Sequence, residues 1–173
     1  MRGCNTMPAK ADPRHARPPV QSGNNLRLRL NSDEYEIRRS LEQIKAHATR
    51  HNADHVMLGT IEIVLAEVLN NIAEHAYASQ PRGGPIDITC TATPDAFRFA
   101  VLDEGTPLPR GVLQARSMPR QYPPEGPLPE GGFGWDLIRM LSVRLSFTRK
   151  HGRNCLSFAV PILKGAMCPK DGR

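Results

Sequence analysis

The chain has 173 residues and a formal charge of +6, enough length for one ordinary core. Its 4 cysteines form no CxxC pair, which argues against both a zinc module and a disulfide framework. The charge is terminal: residues 1–30 hold six Lys or Arg against one Asp, residues 164–173 three against one, and residues 31–163 balance 14 against 15. Without interleaved aromatics these ends read as solvated tails, not as a nucleic-acid or membrane arm.

The opening "MRGCNTMPAKADPRHARPPV" is basic but has no apolar run of signal-peptide length, and no stretch is expected to supply the roughly 20 apolar residues that span a bilayer. The expectation is a cytoplasmic protein with reduced thiols. Residues 1–22, rich in Pro and Arg, read as a flexible lead-in. The domain is placed at 25–163, between a basic tail (1–24) and a short C-terminal one (164–173).

In "NLRLRL", Leu26, Leu28 and Leu30 alternate with polar residues as in a half-buried strand. "NSDEYEIRRSLEQIKAHATRHN" then predicts a helix, with Asn31 or Ser32 as N-cap, acids in its first turn, and Ile37, Leu41 and Ile44 at helical spacing. A second helix is expected over 54–78, ended by the Pro and Gly of "SQPRGGP". In it, Glu67, Asn70, Asn71, Glu74 and His75 project onto one face, and Leu65, Val68, Leu69, Ile72 and Ala76 onto the other. "IDITCTA" and "FRFAVLD" alternate with period two around "TPD" and predict a hairpin. Residues 104–132 are dense in Pro and Gly, and a structureless segment of that length in a compact domain is a lid or disordered. "FGWDLIRMLS" predicts a short helix, and "VRLSFTRK" and "CLSFAVPI" flank "HGRN" as a second hairpin. No βαβ alternation is present. The order therefore predicts an α+β fold, a two-layer sandwich with helices on one face of a mixed, mostly antiparallel sheet.

Three motifs carry chemistry. In "VLDEGTPLP", Asp103 ends an apolar strand and can accept from an exocyclic amine, while Gly105 permits close approach to a flat ligand; alone, Asp103 reads as readily as an Asx turn. "EGGFGWDLI" sets Gly131, Gly132 and Gly134 before a helix, whose free N–H groups favour an anion; a hinge or cap is an equal reading. On the second helix an amide such as Asn71 offers oxygen to magnesium with Glu67 one turn earlier, and a structural polar network explains the stripe equally well.

In this order, "EVLNNIAEH", "DEGTP" and "GGFGWDLI" resemble the three nucleotide-binding boxes of the GHKL ATPase superfamily, which includes gyrase and histidine kinases and has the Bergerat fold. The match is nearest to the anti-sigma factor serine/threonine kinases of partner-switching systems and spans about residues 26–162. The resemblance implies ATP and magnesium as cofactors. It implies Asn71 as magnesium ligand with Asn70 and His75 beside it, Glu67 as general base, and Asp103 on the adenine amine with Gly105 and Pro107 next to it. Gly132, Phe133 and Gly134 would close on the phosphates, with a lid at about 106–131. Two departures stand out: "GRNCLSF" puts Asn154 and Cys155 where the family commonly has Gly-Thr, and the lid is rich in proline. Arg110, Arg116, Arg120 and Arg139 are open candidates for steadying the γ-phosphate.

The partners implied are a sigma factor, an anti-anti-sigma STAS-domain protein as substrate, and a second copy in a homodimer, with no membrane and no direct nucleic acid. "DEYEIRRSLEQ" is the expected partner surface. A non-catalytic ATP-binding switch is the alternative. A histidine-kinase fragment is the third reading, with His47, His51 and His55 at i, i+4, i+8, although these are expected to be surface residues.

Overall fold

The computed structural model describes residues 20–109, 111–113 and 134–162. Most of the expected lid, with Arg110, Arg116, Arg120, Gly131, Gly132 and Phe133, lies outside the described residues, as do 1–19 and 163–173.

Six strands are present: β1 Val20–Ser22, β2 Asn25–Asn31, β3 Pro85–Ala92, β4 Ala96–Asp103, β5 Val143–Lys150 and β6 Arg153–Pro161. They form one sheet in the order β1-β2-β3-β4-β6-β5, and every pairing is antiparallel. The first strand corrects the sequence reading, since Val20–Ser22 fall in the segment taken as lead-in. Gly23, at φ +51°, turns the chain so that Ser22 pairs with Asn25. Three residues are too few to display a period of two, so the strand left no sequence signal.

Helices α1 Glu34–Arg50, α2 His55–Asn71 with the π-helical turn Ile72–Ala76 that continues it, and α3 Gly134–Leu141 complete the described elements. The N-cap of α1 is Asp33, whose carboxylate accepts from Glu36 N at 2.9 Å, and not Asn31 or Ser32. Ser32 instead accepts from Gly84 N at 2.9 Å and ties α1's approach to the start of β3. Asp54 caps α2 in the same way through Met57 N at 2.8 Å.

Alternation builds the core. Leu26, Leu28 and Leu30 of β2, Ile86, Ile88 and Cys90 of β3, Phe97, Phe99 and Val101 of β4, and Leu156, Phe158 and Val160 of β6 are all buried. The helices cover this face: α1 buries Ile37, Ile44 and Ala48, and α2 buries Met57, Ile61, Val64, Leu65, Val68 and Leu69. Burial of the Cys90 thiol pushes its pKa up to about 12, so it behaves as a packing residue.

One helix among the described residues, His55–Ala76, contains an 18-residue window of mean hydropathy 1.5, enough by length and composition alone to cross a membrane. Its buried side chains, among them Ile61, Val64, Leu65, Val68 and Leu69, belong to the core. One expectation is overturned. His47 is not a surface residue: it is 1% exposed, with its ring 4.6 Å from that of His51. It falls on the same face of α1 as Ile44 and Ala48, which the heptad-like spacing of the three histidines had hidden.

Candidate functional site

Strand parity delivers two polar side chains to the end of the core. Two residues beyond Val101, the buried side of β4 ends in Asp103, 5% exposed. Asn154, 2% exposed, precedes Leu156 on the buried side of β6 and lies opposite Asp103 in the register. Its Nδ2 donates to Asp103 Oδ1 at 2.7 Å and to the Thr106 carbonyl at 3.1 Å. Gly105 N donates to the same carboxylate oxygen at 2.9 Å. The Asx turn that the sequence allowed is therefore formed, but through Oδ1 alone. Asp103 Oδ2 has no hydrogen-bond partner among the described residues, and Asp103 lines the adjoining cavity.

Gly105 serves a neighbour that the sequence did not suggest. A Cβ there would stand 2.5 Å from the Ala76 carbonyl oxygen, to which Thr106 N donates at 2.8 Å. The glycine lets the loop after β4 dock on the end of α2 by close approach to backbone. Tyr77, 2% exposed, fastens the same junction, accepting from Glu104 N at 2.8 Å and donating to the Pro85 carbonyl at 2.7 Å. Burial raises its pKa, with the Glu104 N–H opposing.

After Asn71, helix α2 widens into a π-helical turn, Ile72–Ala76, closed by Tyr77 N on the Ile72 carbonyl at 3.0 Å. Such turns often mark functional sites. The polar stripe of the sequence does not arrive as one wall. Asn71 and His75 line the cavity together with Val68, Ile72 and Ala76, whereas Asn70 and Glu74 are exposed and outside it. A mostly apolar lining suits a flat aromatic ligand better than a continuous polar wall does, because polar groups there would lose water without replacement. Asn71 Nδ2 donates to the Glu67 carbonyl one turn back at 2.6 Å. That bond fixes the amide and leaves Oδ1 without a hydrogen bond among the described residues.

Glu67 is half-buried and meets the start of α3: a Cβ on Gly134 would overlap Glu67 Oε2 and stand 3.4 Å from Asn71 Nδ2. Next to Gly134, Trp135 joins Phe147 and Leu156 in an apolar part of the lining, and Pro107 lies on the loop side. The cavity encloses about 390 Å³, within the range of small-molecule sites. Arg139 is engaged within the fold: its Nη1 donates to the Val112 carbonyl at 2.7 Å and its Nη2 to Asp136. It ties α3 to the first residues of the expected lid.

Of the expected site residues, Asn71, His75, Asp103 and Pro107 line one cavity, and Glu67 and Gly134 adjoin it through Asn71. Trp135, Phe147 and Arg149 were not anticipated. Trp135 was legible as the aromatic after Gly134; Phe147 and Arg149 owe their places to β5 pairing with β6, which no local pattern shows.

Residues 30–160 match the family model described as "Histidine kinase-like ATPase domain". The chain belongs to the histidine kinase-like ATPase domain family. The match runs from the end of β2 to the end of β6 and so contains every element that lines the cavity. A solved structure described as the RsbU and RsbW domains of Rv1364c from Mycobacterium tuberculosis is similar in fold, with a TM-score of 0.52 and 18% identity over 79% of this chain. This histidine kinase-like ATPase domain spans 32% of that longer chain. No curated protein matches it.

Proposed function

We propose that the chain binds ATP with a magnesium ion and acts as an anti-sigma factor and protein serine/threonine kinase, transferring the γ-phosphate to a serine or threonine of an anti-anti-sigma STAS protein. The observation that carries this reading is the meeting of Glu67, Asn71 and Gly134 beside a cavity that also presents Asp103. Family membership supports nucleotide binding. The choice of kinase branch and of sigma-factor and STAS partners, and of a homodimer, rests on the order of "EVLNNIAEH", "DEGTP" and "GGFGWDLI".

The donor set fits both groups. Asn71 Oδ1 is an oxygen donor of the kind magnesium takes, and the Trp135 and Phe147 side of the cavity suits a purine. When bound, magnesium supplies charge neutralisation at the phosphates. Asn71 holds the ion, with His75 beside it in the lining. Asp103 Oδ2 accepts from the adenine amine, and Pro107 bounds the ring. Glu67 accepts the proton of the attacking hydroxyl. Gly134, and with it Gly132 and Phe133 from the motif, present the start of α3 to the phosphates. Asn70 is exposed and outside the cavity.

One observation favours the non-catalytic switch: among the described residues no Lys or Arg lines the cavity, and Arg139 is engaged elsewhere. Incubation with magnesium and γ-labelled ATP in an extract of the source cells separates the readings. The kinase leaves an acid-stable label on another protein that disappears with Glu67→Ala. ATP binding without label favours the switch.

A further inference from the structure

We propose that Asn154, braced by Arg149, is the positioning residue that makes this site discriminate a 6-amino from a 6-keto purine. The inference rests on Asp103 being the base-reading group of the proposed nucleotide site.

Asp103 alone does not define a direction of recognition, because a carboxylate has two equivalent oxygens and a free χ2 rotation. Here Oδ1 is saturated by two donors, Gly105 N and Asn154 Nδ2. The carboxylate is therefore held with Oδ2 as the only oxygen left for a ligand. Asn154 is in turn fixed by Arg149, whose Nη1 donates to Asn154 Oδ1 at 2.5 Å and to the Gly105 carbonyl at 2.9 Å. A flipped Asn154 amide would set its oxygen against the carboxylate and its NH₂ against the guanidinium. Both contacts are repulsive, so one amide orientation is enforced.

The donor count completes the argument. An amide NH₂ has two hydrogens, and those of Asn154 serve Asp103 Oδ1 and the Thr106 carbonyl. Asn154 thus keeps no hydrogen for a ligand acceptor, although it lines the cavity. A 6-amino group finds the acceptor Oδ2; a 6-keto oxygen finds a carboxylate oxygen and no donor from this pair. Selectivity comes from the unsatisfied arrangement that the wrong base leaves behind.

The test compares the dissociation constants of ATP and inosine triphosphate for the full chain, read from the fluorescence of Trp135, the single tryptophan. Wild type is expected to prefer ATP by about tenfold or more. In Asn154→Leu the preference falls, because the carboxylate keeps only the Gly105 N–H of its two restraints; Asn154→Thr, which restores one donor, recovers part of it. A general loosening of the pocket weakens both nucleotides together and leaves their ratio unchanged. Arg149→Met, at an exposed edge position, narrows the ratio without endangering the fold and decides the matter if Asn154→Leu does not fold. An unchanged ratio in folded Asn154→Leu, or in Arg149→Met when Asn154→Leu does not fold, overturns the role of Asn154. Equal binding of the two nucleotides by wild type, or no effect of Asp103→Asn, overturns instead the reading of Asp103 as the adenine contact.

Discussion

Gly134 lies directly against the carboxylate of Glu67, so the first residue of α3 and the C-terminal part of α2 share a contact that leaves no room for a Cβ. The obstructing atom is the far end of a flexible side chain, and Glu67 can swing aside at little cost to folding. Gly134→Ala is therefore expected to keep its unfolding midpoint within about 1 kcal/mol of wild type and to keep ATP binding, while phosphotransfer falls at least as far as a misplaced base implies, about a hundredfold. Denaturant titration and a single-turnover assay measure the two effects. Transfer at the wild-type rate would show that the position of Glu67 does not matter to the chemistry.

Asn71 has one amide end committed to its own helix, through Nδ2 on the Glu67 carbonyl. Asn71→Ala removes the other end, and ATP affinity is expected to lose its dependence on magnesium. Titration calorimetry with and without the ion reads this directly. A retained magnesium effect removes Asn71 from the set of metal ligands.

Tyr77 joins the end of α2 to both β3 and the residue after β4 through one hydroxyl. Tyr77→Phe leaves Pro85 O and Glu104 N without that partner, and the expected loss is about 1–2 kcal/mol. Because Glu104 follows Asp103, ATP affinity should weaken along with stability. Urea unfolding combined with nucleotide titration tests both. Full stability in the variant would show that water replaces the hydroxyl.

His47 has its pKa lowered from 6.5, first by burial and then by the neighbouring charge of His51, against an opposing hydrogen bond to the Asn24 backbone and with Arg50 adding to the lowering. Between the lowered value and 6.5 the unfolded chain binds a proton that the folded chain does not, so stability rises with pH in that window. It is complete above 6.5 and lost as pH falls towards the folded value. Urea midpoints at a series of pH values should show this slope, and His47→Phe should flatten it. An identical slope in the variant assigns the effect to other groups.

Periodicity determined much of this protein. The alternations of β2, β3, β4 and β6 and the amphipathic α1 and α2 fixed the layers, since burying one face is the only way such patterns gain from folding. The residues Glu67, Asn71, Asp103 and Gly134 were legible because they sit in three short motifs whose order resembles a known ATPase family, and that family is the one the chain joins. Tertiary structure alone decided the partners. The pairing of β4 with β6 set Asn154 on Asp103, the packing of α2 left Asn70 facing solvent, and the end of α2 put the Ala76 carbonyl against Gly105. Local sequence encodes which face a residue takes. Which residue it meets there depends on strand order and helix register, which arise only when distant segments pack.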